Sequence, residues 1–333
     1  MRPRGRRTAG GLAATGAGAA LALILGCGLG GDGERSSPAA AAERWSTLAR
    51  STLARTEVAA ARIGDGAYVV GGFAAPGGAT SDVVERYDLR SDRWTRVRPI
   101  PQAVNHAAAV AYAGALYVIG GYTAASGLAA ETNALWRYAP AADRWTKLRG
   151  APTARGALVA GVIGDRLYVA GGARGGAALA TLEIYDFERR RWSRGPAMRT
   201  GREHLAGTVH GGAFYVLAGR AGSLDNFRVA ERYVPARRRW ERLPALRKAR
   251  GGIAAATVGR RIVVVGGEER AGTIAEVESF DPRTRRWRFE PRLRTPRHGL
   301  GAVSHRGRVV VLEGGPRPGL SYSDAAEALR VRR

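Results

Sequence analysis

Residues Arg166–Trp192 read RLYVAGGARGGAALATLEIYDFERRRW. An apolar run stops at Gly171-Gly172 and a loop of small residues follows. Glu183-x-Tyr185-Asp186 comes next, and Trp192 stands seven residues after the tyrosine. The same order recurs along the chain. Gly pairs fall at Gly71-Gly72, Gly120-Gly121, Gly171-Gly172, Gly266-Gly267 and Gly314-Gly315, with Ala218-Gly219 as a sixth, altered copy. Trp45, Trp94, Trp145, Trp192, Trp240 and Trp287 are separated by 49, 51, 47, 48 and 47 residues. Glu85, Glu183, Glu231 and Glu278 each precede the next Trp by nine residues. Tyr87, Tyr138, Tyr185, Tyr233 and Phe280 precede it by seven. Self-similarity at a fixed period marks a repeat architecture.

Each period divides into four short strands. A small apolar run such as ALVAGVI turns at a glycine into a β-branched and aromatic run such as YVV or IVVV, which ends at the Gly pair. The third strand carries Glu-x-Tyr, whose spacing of two puts both side chains on one face. The fourth begins at the Trp. Four antiparallel strands repeated six times predict an all-β, six-bladed β-propeller. The second residue of the pair is glycine at Gly72, Gly121, Gly172, Gly219, Gly267 and Gly315, so that position tolerates no side chain. Trp and Tyr are expected to fill the space between blades.

The Gly pair, Glu-x-Tyr-Asp and Trp resemble the kelch repeat, over residues 43–333. The second unit departs from it, with Trp136 where the others have Glu and Ala139 where Asp is usual; the fourth has Val234 in that Asp position. The last unit has a third strand near Ala326–Val331 but no Trp after it, while Trp45 precedes the first Gly pair. The strand at AERWSTLA is therefore expected to complete the last blade and close the ring.

The chain has 333 residues, 45% of them hydrophobic, and a formal charge of +25. Lys147 and Lys248 are the only lysines among 53 basic residues. Arginine runs at ERRRW (188–192), ARRRW (236–240) and RTRRW (283–287) fall in turns before fourth strands. They predict one basic face, suited to an anionic membrane or envelope polymer or left as a solvated rim. No aromatic residues interleave these runs as a nucleic-acid stacking surface would require. Residues 1–26 have the order of a bacterial export signal: basic MRPRGRR, then an apolar stretch. LILGC, ending at Cys27, resembles a lipobox and makes Cys27 the expected lipidation site. Residues 27–42 read as a flexible tether and 43–333 as the propeller. As the only cysteine, Cys27 permits no disulfide within the chain and no cysteine metal cluster.

A recurring position sixteen residues before the Gly pair holds Arg55, Val104, Arg155, Arg202, Arg250 and, with one extra residue in between, Arg297. Glu57, Asn105, His106, Glu203, His204 and His298 lie close by in sequence. Converging arginines with His and Glu at a channel mouth suit an anionic ligand, which makes Arg55, Arg155, Arg202, Arg250, Arg297, Glu203, His204 and His106 the ligand-binding candidates. The other reading makes these arginines framework groups that bond neighbouring loops. First-strand starts of blades two, four and six lie apart around a ring, so no metal site and no cofactor are expected. Galactose oxidases are also kelch proteins, but their copper chemistry needs a Cys–Tyr crosslink for which no thiol stands in the propeller. The expected role is an exported, monomeric binding module for a protein or a glycan, with loop 122–134 as the best contact. The alternative is a carbohydrate enzyme similar to the sialic acid mutarotases, in which Arg202, Arg250 or Arg297 would hold a sugar carboxylate and Glu203 would move protons.

Overall fold

The computed structural model describes residues 45–332. The expected export signal (1–26), the tether (27–42) and Cys27 lie outside the described residues. Within the described residues the chain is all-β, with two single-turn 3₁₀ segments at Pro140–Ala142 and Pro235–Arg237.

Six sheets of four or more strands follow one another, with two smaller sheets in the loops at Arg55–Thr56, Phe73–Ala74 and Ala79–Thr80 and at Ala173–Arg174 and Ala177–Ala178. The first pairs Ala59–Ile63, Gly66–Val70, Val84–Asp88 and Arg93–Val97 in sequence order, every pair antiparallel. The next four repeat this order, from Ala108–Tyr112 to Arg144–Leu148, Val159–Ile163 to Arg191–Arg194, Ala206–His210 to Arg239–Arg242, and Gly251–Val258 to Arg286–Glu290. The sixth holds Gly301–His305, Arg308–Leu312 and Ala326–Arg330, and its outer strand is Trp45–Leu48, with Trp45 opposite Leu329. First and second strands join through two-residue turns. At Ala113-Gly114, Gly211-Gly212 and Arg306-Gly307 both turn residues hold positive φ, the twist that fits a tight hairpin.

The first strand of each sheet lies against that of the next, and Gly301–His305 lies against Ala59–Ile63. Six apolar clusters fill the spaces between consecutive sheets. One packs Ile253, Ile262 and Trp287 of the fifth sheet on Tyr215 and Leu217 of the fourth. Another packs Val58 and Tyr87 on Val310 and Ala328.

Every Trp of the repeat donates its indole N–H to a carbonyl just beyond the preceding sheet: Trp45 to Pro291, Trp94 to Ala49, Trp145 to Arg98, Trp192 to Arg149, Trp240 to Pro196 and Trp287 to Pro244, at 2.7–3.0 Å. In five sheets the ring also lies about 5 Å from the aromatic seven residues earlier. Trp45, Trp145, Trp240 and Trp287 are buried, whereas Trp94 and Trp192 keep part of the ring in solvent.

The Gly pair has a mechanical reason. A Cβ on Gly72, Gly121, Gly172 or Gly219 would stand 2.5–2.7 Å from a backbone carbonyl of its own sheet, closer than real contacts allow. The sixth pair differs from the expected one. Glu313 and Gly314 take its two positive-φ conformations, at 56° and 101°. Gly314 N–H bonds Arg55 O at 2.9 Å, just as Gly72 N–H bonds Val104 O. Gly315 lies one residue further on, bridged to His298. Arg297 therefore stands sixteen residues before the true pair, with no extra residue.

Replacing the buried Trp45 or Trp240 by Ala should cost about 3–5 kcal/mol, and Trp192→Ala clearly less. Thermal melts of the three variants check this; equal losses at 45 and 192 would contradict it.

Candidate functional site

The strand-start arginines do not face a ligand. Arg55, Arg155, Arg202, Arg250 and Arg297 are fully buried inside their own sheets. Arg155 pairs with Glu183 at 2.6 Å, Arg202 with Glu231 at 2.7 Å, Arg250 with Glu278 at 2.8 Å and Arg297 with Glu327 at 2.8 Å. Arg55 Nη2 reaches Glu85 and Glu313 at 2.8 Å each. Backbone carbonyls accept from further Nη atoms, such as Val216 O for Arg202 and Gly266 O for Arg250, while the buried Nε of each of the five has no hydrogen-bond partner. The third-strand Glu is buried by sheet packing, and a buried carboxylate needs a cation. This corrects the assignment of these five arginines as ligand-binding groups: they are framework pairs. The second sheet has neither member. Val104 and Trp136 replace Arg and Glu together.

The residues two positions after each strand start do converge. They are Glu57, His106, Ala157, His204, Gly252 and Gly299, all with φ between 50° and 69°. Their backbones link from sheet to sheet. His106 N–H bonds Glu57 O, Ala157 N–H bonds His106 O, His204 N–H bonds Ala157 O, Gly252 N–H bonds His204 O and Gly299 N–H bonds Gly252 O. The series returns through Val58 N–H to Gly299 O, all at 2.9–3.2 Å. The side chains point at one another across a cavity of about 70 Å³. His106 Nε2 lies 3.0 Å from His204 Nε2 and 3.1 Å from Glu57 Oε2. The expectation that these histidines stand apart, and with it the argument against a metal, is thus overturned. Angular separation means little where six sheets crowd closest. Below the cluster Val58, Ala107, Leu158, Leu205, Ile253 and Leu300 begin an apolar channel.

The residues one position earlier support this ring. Asn105 Oδ1 lies 2.7 Å from His106 Nδ1, and the Asn105 amide in turn donates to Thr80 Oγ1. Glu203 accepts from His204 Nδ1, and Arg220 bonds Glu203 at 3.2 Å and Glu268 at 2.8 Å. His298 Nδ1 lies 3.0 Å from Glu57 Oε1, and its Nε2 lies 3.1 Å from Arg317 O. Since a carboxylate and a carbonyl only accept, His298 donates from both nitrogens. Burial opposes that charge, but Glu57 and Glu268 outweigh it and raise the His298 pKa. Burial lowers the pKa of His106 and takes that of His204 well below the usual imidazole range. Arg220 and Arg317 come from loops beyond the second strands and Glu268 from the far end of the second strand Arg261–Glu269, where no spacing in the sequence pointed to them.

The loops around this cluster are tied to one another. Thr80 Oγ1 donates to Ala124 O, Gly175 N–H to Glu131, Asn226 to Glu268 O, Gly319 N–H to Glu268 and Thr273 to Pro316 O. Leu128, within the expected contact loop 122–134, is 53% exposed and Leu320 58%. At the opposite ends of the strands Arg189–Arg191, Arg237–Arg239, Arg283, Arg285 and Arg286 are exposed. Part of that charge is neutralised locally, as by Glu241 between Arg237 and Arg239.

A family model described as the KLHDC2/KLHL20/DRC7 Kelch-repeats domain matches residues 57–249, and one described as the Kelch motif matches 249–294. The chain belongs to the kelch-repeat family. Human Kelch-like protein 34 is 36% identical over 93 residues, 27% of this chain and 14% of that protein. Human Kelch-like protein 4 is 36% identical over 66 residues, 20% of this chain and 9% of that protein. The matched stretches thus span about a seventh and a tenth of these relatives. The sheets of this kelch β-propeller carry their Arg–Glu pairs as internal fastenings, and the repeat position that faces the axis is the one two residues further on.

Arg202→Ala should destabilise the fold by about 3–5 kcal/mol, because it strands Glu231 in the interior. Replacing both, as Arg202→Met with Glu231→Leu, should recover most of that loss in denaturant titrations. Glu313 shares Arg55 with Glu85, and burial pushes its carboxyl from 4.5 up to about 7. A raised carboxyl favours the folded state below its unfolded pKa and loses that contribution as pH climbs through the folded one. Between pH 4.5 and 7 the native chain should therefore lose up to about 3 kcal/mol relative to Glu313→Gln. Stability curves of the two proteins at several pH values measure this, and parallel curves would contradict it.

Proposed function

We propose that this chain is an exported interaction module, a six-bladed kelch propeller that docks a protein partner on its loop rim. Six inter-sheet clusters, and the pairing of Trp45–Leu48 with Ala326–Arg330, support six blades in one ring completed by the N-terminal strand. The signal-like residues 1–26, the lipobox-like LILGC and the Gly/Ser/Ala tether support anchoring through Cys27 at the cell envelope.

The observation that carries the binding role is the rim itself. Its loops are cross-linked by hydrogen bonds, and Leu128 and Leu320 stand in solvent among them. A pre-ordered surface with apolar anchors loses little entropy on docking. The mutarotase-type reading loses support, because the arginines that would hold a sugar carboxylate are consumed inside the sheets.

Photo-crosslinking amino acids at positions 128, 320 and 238, the last on the opposite face, test the proposal in intact cells. Protein adducts from 128 and 320 but not from 238 are expected, with Cys27→Ser releasing the chain from the membrane fraction. Adducts from 238 alone, or glycan capture with no protein adduct, would overturn the docking surface.

A further inference from the structure

With both imidazoles neutral, the three inward side chains on the axis form a donor set with no proton donor of its own. Asn105 Oδ1 and Glu203 accept from His106 Nδ1 and His204 Nδ1, so each ring turns a bare Nε2 lone pair toward the other. Those two nitrogens are 3.0 Å apart, and the Glu57 carboxylate closes on His106 Nε2 at 3.1 Å. Three electron-pair donors pressed together repel unless a cation lies among them. We propose that Glu57, His106 and His204 bind one divalent transition-metal ion of the zinc class, with a fourth position open to the axial cavity.

The spacing fits. Ligands at about 2.0–2.1 Å from a tetrahedral zinc stand about 3.3 Å from one another, and all three donor atoms here lie within 4.8 Å of each other. Two N and one O are a borderline-soft set that suits zinc better than calcium or magnesium. The supporting shell has the form that metal-binding histidines use, a carboxylate or amide oxygen on the far ring nitrogen. Glu57 is oriented in the same way, with His298 on its other oxygen.

The backbone turns this repeat position toward the axis in all six sheets. The repeat position demands positive φ, which Gly252 and Gly299 adopt freely. Glu57, His106 and His204 hold it against the preference of their side chains, as does Ala157, whose methyl group brings no donor atom. Gly299 also makes room, because a Cβ on it would stand 2.6 Å from the Glu57 carboxyl carbon.

The test uses the full chain, stripped with chelator and titrated with Zn²⁺ and with Co²⁺ as a coloured reporter. One equivalent per chain is expected, with the visible bands of four-coordinate cobalt. His106→Gln with His204→Gln should weaken uptake at least a hundredfold. Asn105→Ala, which touches only the supporting shell, should weaken it about ten- to a hundredfold. Ala at His210 and His305, which lie away from the axis, should leave it unchanged. If the double variant fails to fold, the cobalt spectrum of the native chain and the Asn105→Ala titration decide. No uptake by the folded native chain overturns the proposal, as does uptake that a folded His106/His204 variant retains. A proton would then bridge the two imidazoles instead.

Discussion

Each sheet is joined to the next by a backbone hydrogen bond at the Gly pair. Gly72, Gly121, Gly172, Gly219, Gly267 and Gly314 donate to the strand-start carbonyl of the following sheet, at 2.9–3.0 Å. The bond needs a residue with positive φ pressed against the backbone of its own sheet, and that is why no side chain survives there. The rest follows from this contact. The residue that accepts the bond is the strand-start arginine in five sheets, so its side chain is turned back into the sheet. There it meets the third-strand Glu. Two residues later the chain is aimed at the axis.

Much of this was legible in the sequence. The period, the four strands and the Trp positions rest on spacings that sheet geometry enforces, so they survive wherever the geometry does. The Gly314–Gly315 assignment failed because two adjacent glycines imitate the pair, whereas the structural copy is Glu313–Gly314. The fixed distance of sixteen from Arg297 was the better guide. Conformation tracks chain length from a fixed anchor more faithfully than residue identity.

The candidate site was less legible, for two physical reasons. A spacing along the chain gives the angle of a residue around the axis and says nothing about its distance from it. His106 and His204 belong to the second and fourth sheets, yet they meet. Nor does a charge pattern distinguish an arginine that waits for a ligand from one already satisfied. The joint change at Val104 and Trp136 carried that information. A cation and an anion that vanish from the same repeat are partners of each other.

The pairing of Trp45–Leu48 with Ala326–Arg330 has a consequence for how the polypeptide is made. The earliest and latest described strands share one sheet, so a half-synthesised chain on the ribosome holds no complete first-to-last contact. Until Pro291 and Leu329 have been made, the indole of Trp45 lacks the carbonyl it bonds and the residue it stands opposite. Contacts this distant in sequence form slowly and late. The sheet that holds both strands therefore cannot form until Ala326–Arg330 has been made, and its outer strand waits unpaired while the sheets between them are synthesised.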